Sequence, residues 1–131
     1  MFLVDTNVFL EVLLEQQRAE EARQFLLNAP VDSLIISDFS LYSIGIILVR
    51  RQMSETFRFF LQDVQAGMPL VRLNLDDLNV LPEVAQSLRL DFDDAYQYVL
   101  AERWGLRLVS FDADFDGTPL GRVTPAIALR N

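Results

Sequence analysis

Phe2-Leu3-Val4-Asp5-Thr6-Asn7-Val8-Phe9-Leu10 opens the chain with three apolar residues that run straight into an aspartate. A Thr-Asn pair follows, and Val8, Phe9, Val12 and Leu13 then recur at helical spacing. The pattern predicts a buried strand, then a helix N-terminus, with Asp5 at the join. In open α/β sheets ligands bind beyond the carboxyl ends of the strands. A carboxylate placed there is costly to desolvate unless its charge is compensated. Asp5 therefore has two readings, a metal ligand or a helix cap, since Asp, Thr and Asn all cap well.

Working outward, the strand-then-helix theme repeats. A second helix carries Ala22, Phe25, Leu26 and Ala29 and ends at Pro30. Glu11, Glu20 and Glu21 are expected on solvated faces. Leu34-Ile35-Ile36 is too short and too β-branched for a helix, and Ser37-Asp38 offers the next helix start. That helix places Leu41, Ile44, Ile47, Leu48 and Arg51 on one stripe. Gly45 within it weakens the helix and points to close packing against a neighbour. Ser54-Glu55 opens a further helix with Phe57, Phe60, Leu61 and Val64. Phe59, beside these and Met53, is more aromatic surface than a small core needs, which suggests a homodimer interface as readily as a core stripe. Leu70-Val71-Arg72-Leu73 predicts a third strand, Asn74 a capped short helix and Pro82 a helix restart. A helix from Asp93 or Asp94 puts Phe92, Ala95, Tyr96, Val99, Leu100 and Arg103 on one side and stops near Gly105. Leu106 to Ser110 predicts a fourth strand, and Gly121 to Pro125 a short last one. Strands alternating with helices imply a parallel sheet covered on both faces, an α/β/α sandwich. There is no internal repeat or linker, so residues 1–131 read as one domain.

Composition removes many chemistries. The chain has no His, no Cys and no Lys; all 11 basic residues are Arg. That excludes Ser-His and Cys-His nucleophiles in their usual forms, Cys/His zinc sites, the phosphate-loop lysine and lysine Schiff bases. Carboxylates, hydroxyls and arginines remain, and carboxylates suit hard cations, Mg2+ or Mn2+. A net charge of -8 opposes simple electrostatic binding of nucleic acid, although bound cations reverse a local field. It also suits a basic partner. The apolar run Ile44 to Val49 stops at Arg50-Arg51, far short of a bilayer span. No basic region precedes Asp5, so no signal peptide is expected. The lack of cysteine fits a cytoplasmic protein.

Asp5 and Asp112 each follow a predicted strand, and Asp94 sits at a helix start that faces the same edge of the sheet. Carboxylates forced together raise one another's pKa. A divalent cation removes that conflict and supplies a nucleophile without histidine. The alternative is three independent caps or loop aspartates; the matching topological places favour a shared site.

These residues carry a resemblance. Val4-Asp5-Thr6-Asn7, Ile35-Ile36-Ser37, Asp94-Ala95 and Leu108-Val109-Ser110-Phe111-Asp112-Ala113-Asp114-Phe115 make the chain similar, over nearly its whole length, to PIN domains, most closely toxin-type ribonucleases of the VapC kind. The resemblance implies a three-layer α/β/α sandwich with a central parallel sheet, an acidic pocket for magnesium or manganese, and hydrolysis of an RNA phosphodiester. It matches Asp5, Asp94 and Asp112 to metal-binding acids, with Asp114 an outer ligand; Asp116 is expected to be a solvated loop acid. Thr6, Asn7 and Ser110 match small polar residues that hold the acids. One position departs from the family: where a glutamate usually stands, this chain has Ser43, which brings no charge and should lower metal affinity. Asp38 replaces it poorly, and the Asp91 and Asp93 pair could compensate from the loop.

The expectation is a metal-dependent endoribonuclease. It would act on RNA, with Arg50, Arg51 and Arg58 as the nearest thing to a basic cluster, and it could be the toxin of a pair with an antitoxin partner, working as a homodimer. Three alternatives stand beside it. Ser43 motivates a PIN-like module with weak or no nuclease activity that binds RNA or protein. A phosphatase or phospho-acceptor domain also places an aspartate after its first strand, but Asn7 stands where the phosphatase pattern wants a second aspartate, and there is no lysine. The last is a purely structural dimer.

Overall fold

The computed structural model describes residues 1–130. In chain order it runs β1 (Phe2–Val4), α1 (Thr6–Leu13), α2 (Ala19–Asn28), β2 (Leu34–Ser37), α3 (Asp38–Arg50), α4 (Ser54–Gly67), β3 (Leu70–Val71), α5 (Leu75–Asn79), α6 (Leu81–Leu88), α7 (Phe92–Trp104), β4 (Arg107–Val109) and α8 (Pro125–Arg130). The strands form one parallel sheet in the order β3-β2-β1-β4.

Strand residues alternate faces, and the register keeps like with like. Leu3 pairs with Ile35 and Leu108, and Phe2 with Leu34. Val4, Leu34, Ile36 and Val109 join the core under α1, α2, α3, α4 and α8, which includes Phe9, Phe25, Ile44, Leu48 and Phe60. Leu3, Ile35, Val71 and Leu108 join the opposite core with Leu81, Tyr96, Val99, Leu100 and Phe115, under α6 and α7. Every residue from Ala95 to Ala101 of α7 is buried. The result is a three-layer α/β/α sandwich. Successive crossovers from β1 to β2 to β3 use one face. The return to β4 reverses direction along the sheet and uses the other, as crossovers of one hand require.

Several sequence expectations need correction. The third strand is only two residues long, because Leu73 turns away: its N–H is taken by the Tyr96 hydroxyl at 3.0 Å. The last strand is reduced to a single parallel bridge. Val123 donates to Leu108 O at 2.9 Å and accepts from Ser110 N at 3.0 Å, and Pro125, with no N–H, then begins α8. Helix α7 starts at Phe92, because Asp91 O already accepts from Ala95 N at 2.8 Å, and Phe92 itself is exposed. Glu11 is buried rather than solvated, since it accepts the Arg18 backbone N–H at 2.9 Å.

The aromatic surplus mostly resolves inward. Phe60 packs edge-on to Phe9 with centroids 5.3 Å apart, and of the three α4 phenylalanines Phe59 is the exposed one. The Phe57 ring lies over Gly45, where an added Cβ would come within 2.9 Å of Cζ. Gly45 is therefore the close-approach glycine of the α3·α4 contact. Among the described residues no helix is long and apolar enough to cross a membrane.

Gly45→Val should lower stability by about 1–3 kcal/mol through overpacking, despite its better helix propensity. A urea titration at constant m-value measures it; an unchanged midpoint would mean that Phe57 swings away without cost.

Candidate active site

With the order β3-β2-β1-β4, the order in which successive strands are laid down reverses between the parallel neighbours β1 and β4. The crevice beyond their carboxyl ends is the topological switch point, where open α/β sheets bind ligands. Asp5 follows β1 there and Ser110 follows β4.

Asp5 extends the ladder by donating its N–H to Val109 O at 2.9 Å, and it caps α1. Its side chain is buried. Oδ1 accepts from Thr6 N at 2.8 Å and from Gln97 Nε2 at 3.1 Å. Oδ2 accepts from Ser110 Oγ at 2.7 Å and from Asn7 Nδ2 at 3.5 Å. A carboxylate has about four acceptor positions, and here each is addressed. Burial still pushes its pKa up, against the lowering by Ser110, Gln97 and Thr6 and with the help of the Asp112 charge. Ser110 is equally committed: its hydroxyl donates to Asp5 while accepting from Asp112 N at 2.9 Å and Asn7 Nδ2 at 3.2 Å. Asn7 Oδ1 accepts Phe111 N at 3.1 Å, which fixes the strand end to α1. Thr6 donates to Ser40 Oγ at 2.8 Å, and Gln97 Nε2 reaches the same oxygen at 2.7 Å.

Above this web stand the acids. Asp94, Asp112 and Asp114 each present an oxygen, all within 4.8 Å of one another. Asp94 comes from the first turn of α7, where the helix N-terminus favours negative charge. Asp112 caps a 3-10 turn, Ala113–Gly117, by accepting Asp114 N at 2.9 Å. The Asp94 pKa is pushed up to about 8, first by burial, then by its hydrogen bond to Asp112 and that residue's charge, and further by Asp5 and Asp93. All the donors are hard oxygens, and the group carries more negative charge than it can accommodate alone. The residues present thus fit a hard divalent cation.

Asp5, Asp94 and Asp112 line one pocket of about 320 Å³, together with Thr6, Asn7, Ser43, Asp93 and Gln97. The structure thus brings the three predicted acids to one place, although Asp5 stands outside the tight carboxylate group. Ser43 faces the pocket without a charge. Asp38 does not line it; its carboxylate is bound by Phe39 N at 2.7 Å and by the Tyr96 hydroxyl at 2.7 Å. Asp93 lines the pocket and Asp91 does not. Asp116, exposed as expected, is held by a two-pronged bond from Arg122 at 2.9 and 3.1 Å. Arg50, Arg51 and Arg58 lie away from this pocket, and Arg58 is paired with Glu55 at 3.3 Å on the surface.

Gln97 and Ser40 escaped the sequence reading. The available signal was an uncharged polar residue within the otherwise apolar run Ala95 to Ala101, one turn after Asp94. Gln97 is 1% exposed, and its Oε1 is a buried oxygen without a partner among the described residues.

A parallel sandwich with clustered carboxylates at its switch point belongs to the acidic-site α/β domains. Within that class the chain belongs to the PIN domain family, whose profile matches residues 2–119. Among solved structures it is similar to a toxin-antitoxin complex from Klebsiella pneumoniae, with 25% identity, a TM-score of 0.76, and coverage of 95% of this chain and 98% of that one. It is also similar in fold to VapC20 of Mycobacterium tuberculosis, a sarcin-ricin loop cleaving toxin (18% identity, TM-score 0.75, 95% and 100% covered). FitAcB from Neisseria gonorrhoeae matches at 14% identity and TM-score 0.71, with 95% and 98% covered. No curated protein matches.

Because the folded-state pKa of Asp94 is raised, the folded protein binds the extra proton, and without a cation stability should fall as pH rises from about 4 to about 8. Asp94→Asn should flatten that slope and stabilise the protein at pH 8 in chelator by on the order of 1 kcal/mol, a value discounted for the solvent-screened half of the group. Melting curves across pH measure it; identical slopes for the two proteins would contradict it. Ser110→Ala removes the hydroxyl that serves Asp5, Asn7 and the Asp112 N–H, and should cost about 1–3 kcal/mol by chemical denaturation. A neutral substitution would mean that water replaces it.

Proposed function

We propose that this chain is a cytosolic, divalent-metal-dependent endoribonuclease, the toxin of a toxin-antitoxin pair. The observation that carries this is the Asp94, Asp112 and Asp114 group beside buried Asp5 at the switch point. Similarity to a toxin-antitoxin complex and to a sarcin-ricin loop cleaving toxin supports the reading.

Asp94, Asp112 and Asp114 would hold Mg2+ or Mn2+, with Asp5 adding its negative charge from the buried wall of the pocket. When bound, such a cation supplies Lewis-acid stabilisation of phosphoryl charge and a water of lowered pKa. The chain's own part is positioning. Asn7, Ser110, Thr6 and Gln97 hold the Asp5 carboxylate in one orientation. Ser110 also ties Asp112 N to Asp5, so the two acids move as a unit. Without a cation, burial and the neighbouring acids push the Asp94 pKa up to about 8, and a bound cation would offset that crowding. Ser43 can accept a hydrogen bond at the pocket wall but contributes no charge. A basic segment of an antitoxin would meet complementary charge here. Tyr42, Ile46 and Val49, exposed along α3, would serve a homodimer.

Purified protein should cut labelled mixed RNA with magnesium or manganese and not with chelator. Asp5→Asn should reduce the rate by about two orders of magnitude or more, and Ser43→Glu should tighten cation affinity. One observation, the uncharged Ser43, favours a second reading: a PIN module that binds RNA or protein with little cleavage. A silent wild type alongside an active Ser43→Glu would select that reading. Silence of all three, with a melting temperature indifferent to metal, would end the enzyme proposal.

A further inference from the structure

A second pocket, of about 360 Å³, adjoins the acidic one and shares Asn7, Leu10 and Asp112 with it. Its outer wall is Glu11, Gln16, Arg18 and Phe111. Through these shared residues the two adjoin as a trough, and among the described residues Arg18 is the only cationic side chain lining either part. Arg18 is not loosely placed. Its guanidinium carbon lies 4.4 Å from the Phe111 ring centroid, its backbone N–H is held by Glu11 Oε1 at 2.9 Å, and its Nε stands 3.8 Å from the same oxygen. Phe111 is buried and immediately precedes Asp112, with its N–H on Asn7. The arginine is therefore seated on the very strand end that carries the acids, while its side chain stays 55% exposed.

A guanidinium over an aromatic ring keeps in-plane N–H groups free for a phosphate, with part of its rotamer entropy already lost. Other basic residues predicted to meet nucleic acid, Arg50, Arg51 and Arg58, line neither part of the trough. We propose that Arg18, seated on Phe111, is a substrate-positioning residue that binds the backbone phosphate of a single-stranded RNA next to the phosphodiester held at Asp94 and Asp112. This rests on the ribonuclease reading for its substrate class. It replaces the sequence-predicted cluster as the source of backbone attraction beside the acids.

The test is fluorescence anisotropy of a labelled single-stranded oligoribonucleotide with the full chain, from low to moderate salt, with calcium present to neutralise the carboxylates. Wild type, Arg18→Ala and Arg18→Lys are compared, with melting temperatures taken alongside. Arg18→Ala is expected to weaken binding about tenfold and to lower the slope of log K against log salt by about 0.7, the loss of one phosphate contact on a single strand. Arg18→Lys should restore the slope and part of the affinity. A merely structural role would change the melting temperature and leave the salt slope alone. An unchanged slope in Arg18→Ala overturns the proposal, as does a wild type that does not bind RNA. If the slope falls as expected but wild type cuts no RNA with manganese, Arg18 stands as an RNA-binding residue and the nuclease reading fails by itself.

Discussion

Burying one carboxylate organises this molecule. Asp5 is buried at the end of a central strand, and an isolated charge there would be far too costly to keep. It is kept because donors converge on it from the start of α1, from the middle of α7 and from the end of β4. Ser40 on α3 is drawn in through Thr6 and Gln97. Four elements that are distant in sequence are thereby fixed to one point at the sheet's edge. Such a network is worth more than its separate bonds when complete, and is costly when broken, because every member lies in a region of low dielectric.

The acids that stand above it follow a different economy. Asp94, Asp112 and Asp114 crowd their charges together although they share hydrogen bonds, because elements fixed for other reasons hold them close. Helix α7 is buried on every side from Ala95 to Ala101, which fixes the turn that carries Asp94. Asp112 is pinned through its N–H to Ser110, and Asp116 is drawn off by Arg122, which also donates to Ser110 O at 3.0 Å. Packing energy from two apolar cores is thus converted into electrostatic tension at one place. This is the usual arrangement in which perturbed pKa values mark a functional site.

How much of this the sequence showed depends on the range of the interaction concerned. Apolar runs ending in Asp5 and Ser110 announced the strands and the switch-point acids, because strand alternation and capping are local. Asp5 and Asp112 each cap a helical turn, as the capping reading has it, and the same two residues line one pocket. The shortened β3 was hidden, because it depends on Tyr96 reaching across to Leu73 N. Glu11 looked solvated by type and was buried by the fold of the α1–α2 turn. Arg89 ends α6 in the left-handed conformation, with φ of 56°, where the local signal would have been glycine or asparagine. Gln97 carried only the faint mark of a polar residue in an apolar run, and nothing local linked Arg18 to Phe111.

The single bridge at Val123 limits how another chain can approach. It occupies the outer hydrogen-bonding edge of β4, on both sides of the bridge, next to the acids. The opposite edge, β3, offers only two residues. Sheet edges are where foreign strands add, and here one is sealed and the other is too short to template a ladder. A protein that binds this one by secondary structure is left with helix-on-helix contact or with an extended segment laid by its side chains into the trough. Recognition would then be set by shape and charge rather than by backbone pairing, and self-association through strand exchange is disfavoured by the same closure.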